Sequence, residues 1–253
     1  MAVDLGILLT WAAVTFFTPV VLALVPLTRR RISDRVLHGM LGFSAGLLLA
    51  IALFDILPEA HEISLAAGLD VRLPALAAAI GFVALLVAHR VFVSRGVHFH
   101  EEEGRRIQPF GTLALGALTV HGLVDGIVIP LAFTASAEAG LVIGLAILLH
   151  QVPDSFAALT LALSSGRRGK KAALFVLATA VDTPIGIALG LLFVNAGAWL
   201  VPLGLGFSAG TFLYVSAADL IPELQHRAQS ASVALSIVAG IAVVALLSWF
   251  LPL

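Results

Sequence analysis

Apolar runs of about 20 residues, separated by short polar breaks, follow one another along this whole sequence. In hydrocarbon every backbone N–H and C=O must find its partner within the protein, so only helices and closed barrels cross a bilayer, and a helix needs about 20 apolar residues to do it. Barrel strands would alternate polar and apolar side chains. These runs do not, so the spans read as helical. Eight are predicted, near residues 4–27, 36–60, 72–93, 109–133, 139–164, 171–194, 199–223 and 230–251, numbered spans 1 to 8. With 60% of residues hydrophobic and 11% charged, and a mean hydropathy of +1.08, the chain lies far outside the range of a soluble domain. The fold class is all-α, polytopic and membrane-embedded, organised as a single transmembrane domain over residues 1–253.

The basic residues orient it. Short cytoplasmic loops retain Lys and Arg, and the loops after spans 1, 3, 5 and 7 hold thirteen of the fourteen; Arg72 alone falls on the other side. Both termini are therefore expected outside the cytoplasm. The amino end, "MAVDLGILL", lacks the basic start of a secretory signal and is read as a retained first span. There is no cysteine, hence no disulfide and no thiolate ligand. The net charge of -1 carries no message, and nothing points to nucleic acid.

Leu41–Glu62, "LGFSAGLLLAIALFDILPEAHE", aligned with Leu205–His226, "LGFSAGTFLYVSAADLIPELQH", is identical at ten of 22 positions, including "LGFSAG" and a D-x-x-P-E end. The first part alone would be generic small-residue packing; the second part excludes that. An odd number of crossings separates spans 2 and 7, so the repeat is predicted to be inverted, with spans 1–3 and 6–8 flanking spans 4 and 5 in a 3+2+3 arrangement. Inverted repeats mark transporters whose sites lie near the midplane. The small faces at Ser44, Ala45 and Gly46 and at Ser208, Ala209 and Gly210 are expected to slide against spans 4 and 5.

Those two central spans hold the chemistry. Span 4 carries His121 and Asp125 in "LTVHGLVDGIVIP"; span 5 carries His150 and Asp154 in "LLHQVPDSFAAL". Residues four apart share a helix face. An ionised aspartate at the bilayer centre costs about 2.5–3.5 kcal/mol even on insertion scales, so two of them call for compensation. A divalent cation supplies it: two carboxylates cancel its charge and two neutral imidazoles complete an N2O2 shell that suits zinc, with iron(II), manganese, cobalt or cadmium as further candidates. The competing reading is a pair of intrahelical His–Asp hydrogen bonds that bind nothing. Pro153, and Gly126 with Pro130, are expected to bend and loosen the two helices beside the site.

These residues resemble the ZIP (Zrt-/Irt-like) family of divalent metal transporters, whose spans 4 and 5 carry motifs commonly written HNxPEG and HExPHE. Here the first reads "HGLVDG", matching at His121, Asp125 and Gly126, and the second "HQVPDS", matching at His150 and Pro153 with Asp154 at a ligand position. Gly122 stands for the family's Asn, Val124 for its Pro and Gln151 for its second acid; Ser155 fills the last position. In span 6 "VDTPIG" has Thr183 where an acid usually precedes the proline, and Asp182 one residue earlier. The resemblance implies one complete metal site, with Gln151 and Asp182 as auxiliary ligands at a second. It also implies a metal carrier working by alternating access into the cytoplasm across a plasma (inner) membrane, and a homodimer. Zinc or another divalent transition metal is substrate; no organic cofactor is expected.

The linker "HFHEEE" looks like a short form of the family's His-rich loop, in which His98 and His100 would collect metal, unless it is simply a solvated loop. Glu59, His61 and Glu62 form a candidate entrance at the end of span 2, and Asp219, Glu223 and His226 a candidate exit at the end of span 7; charges placed at a helix end by the interface explain both equally. Two other functions stay in view. An intramembrane zinc-dependent hydrolase would use the same ligands to activate water, and a non-transporting metal sensor would need the site without the flux.

Overall fold

A computed structural model describes residues 4–24, 33–94, 110–195, 199–227 and 231–250. It contains helices and no strand among them. Seven helical segments are each long and apolar enough to cross a membrane, and a further apolar helix, Ala231–Phe250, follows. Side chains such as Val21, Leu235 and Trp249 stay largely exposed on these helices, the surface that lipid would cover.

Helices lie where the spans are predicted, seven of them long and apolar enough to cross a membrane, with shifted ends. Span 2 continues to Ala66 and span 7 to Arg227, because Glu, Gln and His are compatible with a helix that has left the hydrocarbon. Spans 4 and 5, Phe110–Ala135 and Ala137–Ser164, run unbroken through Pro130 and Pro153. The break falls in span 6 instead, where Lys170–Ala178 and Asp182–Gly190 are separated by three turn residues. Gly126 does not loosen span 4. A Cβ there would sit inside the contact shell of the Thr183 carbonyl, and one at Gly186 would strike the Leu123 carbonyl, so these glycines let spans 4 and 6 approach backbone to backbone.

The repeat is one of structure as well as sequence. A π-helical turn occupies Ala52–Ile56 in span 2 and Tyr214–Leu220 in span 7. In each, the amide five residues on closes the wide turn: Leu57 N–H to the Ala52 carbonyl, Ile221 N–H to the Ser216 carbonyl, at matching repeat positions. Pro58 and Pro222 follow immediately. Proline has no N–H and crowds the carbonyl four residues back, so the helix widens just before it. Packing repeats too. Gly46 closes on the Ile237 carbonyl and Gly210 on that of Ala78; Gly240 closes on Phe43 and Gly81 on Phe207. A single exchange of span 2 with 7 and span 3 with 8 converts each contact into the other.

This corrects the expectation for the small faces. Ser44 and Ser208 do reach spans 5 and 4, but Gly46 and Gly210 face spans 8 and 3. Residues two apart point to different sides of a helix, so one small-residue run serves two neighbours.

Candidate metal centre

Spans 4 and 5 meet at a single residue, Ser136, whose side chain caps span 5 by accepting the Ala139 amide at 2.9 Å. Two helices hinged there run back side by side, and His121 and His150 lie 15 and 14 residues from the hinge, about 21–22 Å along each helix. The i, i+4 spacing then turns both His–Asp pairs into one space. Ligand atoms of His121, Asp125, His150 and Asp154 all lie within 4.8 Å of one another. Asp125 Oδ2 is the hub, 3.1 Å from both imidazole Nε2 atoms, and Asp154 Oδ2 is 3.4 Å from His121 Nε2. His121, Asp125 and His150 are buried and Asp154 nearly so.

The polar groups are only partly satisfied by one another. His121 Nε2, Asp125 Oδ1, His150 Nδ1 and Asp154 Oδ1 are buried without a hydrogen bond, and such groups are costly unless something else binds them. A divalent ion fits that need. One intrahelical pair of the kind the sequence alternative invokes is present, His121 Nε2 with Asp125 Oδ2 at 3.1 Å, but the same carboxylate also joins His150 of the neighbouring helix at 3.1 Å, so the polar groups form one cluster across two helices.

The auxiliary candidates border the same space. Gln151 and Asp182 line a small cavity with Gly122 and Asp154, and Gln151 Oε1 is buried without a partner. Asp182 begins the second half of span 6, its Oδ1 accepting the Thr183 amide at 2.8 Å. A Cβ built at Gly122 would stand 2.5 Å from that same oxygen. The side chain missing from span 4 and the carboxylate gained in span 6 therefore compete for one volume. Gly122→Asn should displace Asp182 and destabilise the protein by about 1–3 kcal/mol, as overpacking does. Pairing it with Asp182→Ala should restore thermal stability, read as recovery of the melting temperature of the purified protein.

Of the candidate entrance, Glu59 is half-buried, Glu62 is exposed, and His61 donates from Nδ1 to the Leu57 carbonyl of its own helix at 2.6 Å. Of the candidate exit, Asp219 is buried, Glu223 half-buried, and for His226 only the helical backbone is described. Among the described residues neither trio gathers into a metal cluster. His98 and His100 lie outside the described residues.

Several contacts were not read from sequence. Asp55 Oδ2 reaches to 3.7 Å of His150 Nδ1. Its repeat mate Asp219 stands 3.7 Å from His89 Nδ1, which is hydrogen-bonded to the Tyr214 hydroxyl at 2.6 Å. Ser208 Oγ is hydrogen-bonded to His121 Nδ1, and Phe212 stacks on the His121 ring with centroids 3.8 Å apart. The D-x-x-P-E repeat singled out both aspartates; nothing in the sequence says which histidine each would face.

Comparison with known proteins adds an independent line. Residues 95–248 match the family model described as "ZIP Zinc transporter". The chain is 30% identical over 162 residues to zinc transporter SLC39A7 of Mus musculus, covering 58% of this chain and 33% of that protein. It is 32% identical over 120 residues to zinc transporter zipt-7.2 of Caenorhabditis elegans (44% and 25%), and 30% identical over 112 residues to zinc transporter ZIP6 of Homo sapiens (43% and 14%). The matched part thus spans a third or less of each of these relatives.

Proposed function

Because the chain belongs to the ZIP zinc transporter family, we propose that it carries a divalent metal, zinc first among them, across the bilayer, with His121, Asp125, His150 and Asp154 as the site that holds the ion in transit. The observation that carries this reading is the convergence of four ligand atoms within 4.8 Å on the two central helices. In that shell the two carboxylates would offset the ion's charge and the imidazoles would replace its remaining waters. Membership of a family of transporters removes the hydrolase reading.

Movement into the cytoplasm by alternating access is the fuller form of the proposal. The positive-inside pattern supports termini outside the cytoplasm, the resemblance to the family supports a plasma (inner) membrane, and the reciprocal packing of spans 2 and 3 with 8 and 7 supports two matched halves around a central pair. The unit is a single transmembrane domain over residues 1–253, assembling as a homodimer. Zinc uptake by the purified protein in liposomes tests the function: saturable uptake is the expected result, while tight zinc binding with no flux would identify a sensor. Because a ligating imidazole must be neutral, acid should weaken binding.

The site holds one ion tightly. With glycine at 122 and glutamine at 151, the neighbouring cavity offers oxygen donors but no second imidazole. Elemental analysis should give one transition metal per chain, and Gln151→Ala should reduce uptake far less than His150→Ala. Two equally tight metals would instead enlist Asp182.

A further inference from the structure

A neutral imidazole has one nitrogen that donates and one that accepts. If His121 is to offer Nε2 to a metal, Nδ1 must carry the proton and that proton needs an acceptor. Span 7 supplies one. Ser208 Oγ is hydrogen-bonded to His121 Nδ1 inside the protein, where both residues are almost fully buried. One helical turn further along the same span, Phe212 lies against the ring at 3.8 Å between centroids and 34° between planes. The ring is thus held by its edge and by its face from one helix that is not the helix it grows from.

The repeat provides the contrast. Ser44 occupies the position of Ser208 in span 2, yet its hydroxyl donates to Thr160 Oγ1 on span 5 at 3.3 Å, and Leu48, a buried residue, takes the place of Phe212. That bond involves none of the four ligands. The same "FSAG" segment therefore closes a packing contact in one half and holds an imidazole in the other.

Resting on the four-residue site proposed above, we propose that Ser208 is a positioning residue for the metal: its hydroxyl accepts the His121 Nδ1 proton, fixes the tautomer that leaves Nε2 free for the ion, and makes the grip on the ion depend on the placement of span 7. Outer partners of this kind set ligand orientation, and their loss typically costs 10–100-fold in metal affinity. Displacing span 7 would free the His121 ring without touching span 4 itself.

The test uses the full chain in detergent, with zinc affinity measured by chelator competition and the His121 Nδ1–H of the zinc-loaded protein read by nitrogen NMR. Subtracting the spectrum of His121→Ala identifies the His121 signals. Ser208→Ala should weaken zinc by about 10–100-fold and shift the Nδ1–H signal as its hydrogen bond is lost, while Ser44→Ala keeps both affinity and signal. Wild-type affinity in Ser208→Ala, an unchanged Nδ1–H signal, or an equal loss in Ser44→Ala would each overturn the assignment. Undiminished zinc binding by His121→Ala would overturn the metal site itself, and Ser208's role with it. Loss in His121→Ala with none in Ser208→Ala would overturn Ser208 alone.

Discussion

Asp125→Asn should abolish saturable zinc uptake while leaving the protein inserted and folded. Asp125 Oδ2 lies 3.1 Å from the Nε2 of both His121 and His150, so a single atom touches both imidazoles. Asparagine keeps its shape and can still accept a hydrogen bond, but the site is left with one carboxylate to offset a divalent charge in a low-dielectric interior, where that deficit is costly. Zinc affinity should fall by more than about 100-fold, beyond the range of an outer-shell change. The metal-free protein should tolerate the exchange, since it loses a buried charge and gains none. His121→Ala is a harsher variant: it removes the imidazole that stands 3.1 Å from Asp125 and 3.4 Å from Asp154, leaving two carboxylates with less between them. Reduced yield is expected there in addition to lost uptake. Wild-type uptake in both Asp125→Asn and Asp154→Asn would sink the four-ligand assignment.

The helices and the site were legible for the same reason. Hydrocarbon demands long apolar runs, so every exception to apolarity stands out, and two His–Asp pairs at helical spacing on consecutive spans could hardly be missed. Facing geometry was the assumption, and the hinge at Ser136 supplies it. The misreadings share a cause as well. Proline at 130 and 153 suggested bent and loosened helices, but a proline costs one backbone bond and need not end a helix, and both helices run on through theirs. The actual interruption, Thr179–Val181, comes just ahead of Pro184, which has no N–H and crowds the Ala180 carbonyl four residues back. Ser208 was read as a packing residue because sequence shows which residues are small, not which neighbour each one faces.

Gly210→Leu and Gly46→Leu should prevent the protein from folding, rather than slow a moving part. A Cβ at Gly210 would fall well inside the contact shell of the Ala78 carbonyl oxygen, and a Cβ at Gly46 inside that of Ile237. Both obstacles are backbone, which cannot rotate aside, so the helices must separate and give up the contacts on either side. Alanine alone should destabilise each site by about 1–3 kcal/mol, and leucine should leave little monodisperse protein to purify. The exchange that relates the two contacts predicts losses of similar size at both. Two other glycines provide the control: among the described residues nothing lies within 4 Å of a Cβ at Gly39 or Gly116, and both sit inside helices. There, alanine should be neutral or stabilising by up to about 1 kcal/mol through helix propensity. Thermal unfolding of the four alanine variants, followed by size-exclusion profiles of the leucine pair, reads the difference. Well-folded leucine variants with normal unfolding temperatures would mean that spans 2 and 8, and 3 and 7, do not pack backbone to backbone, and the reciprocal packing would lose its physical basis.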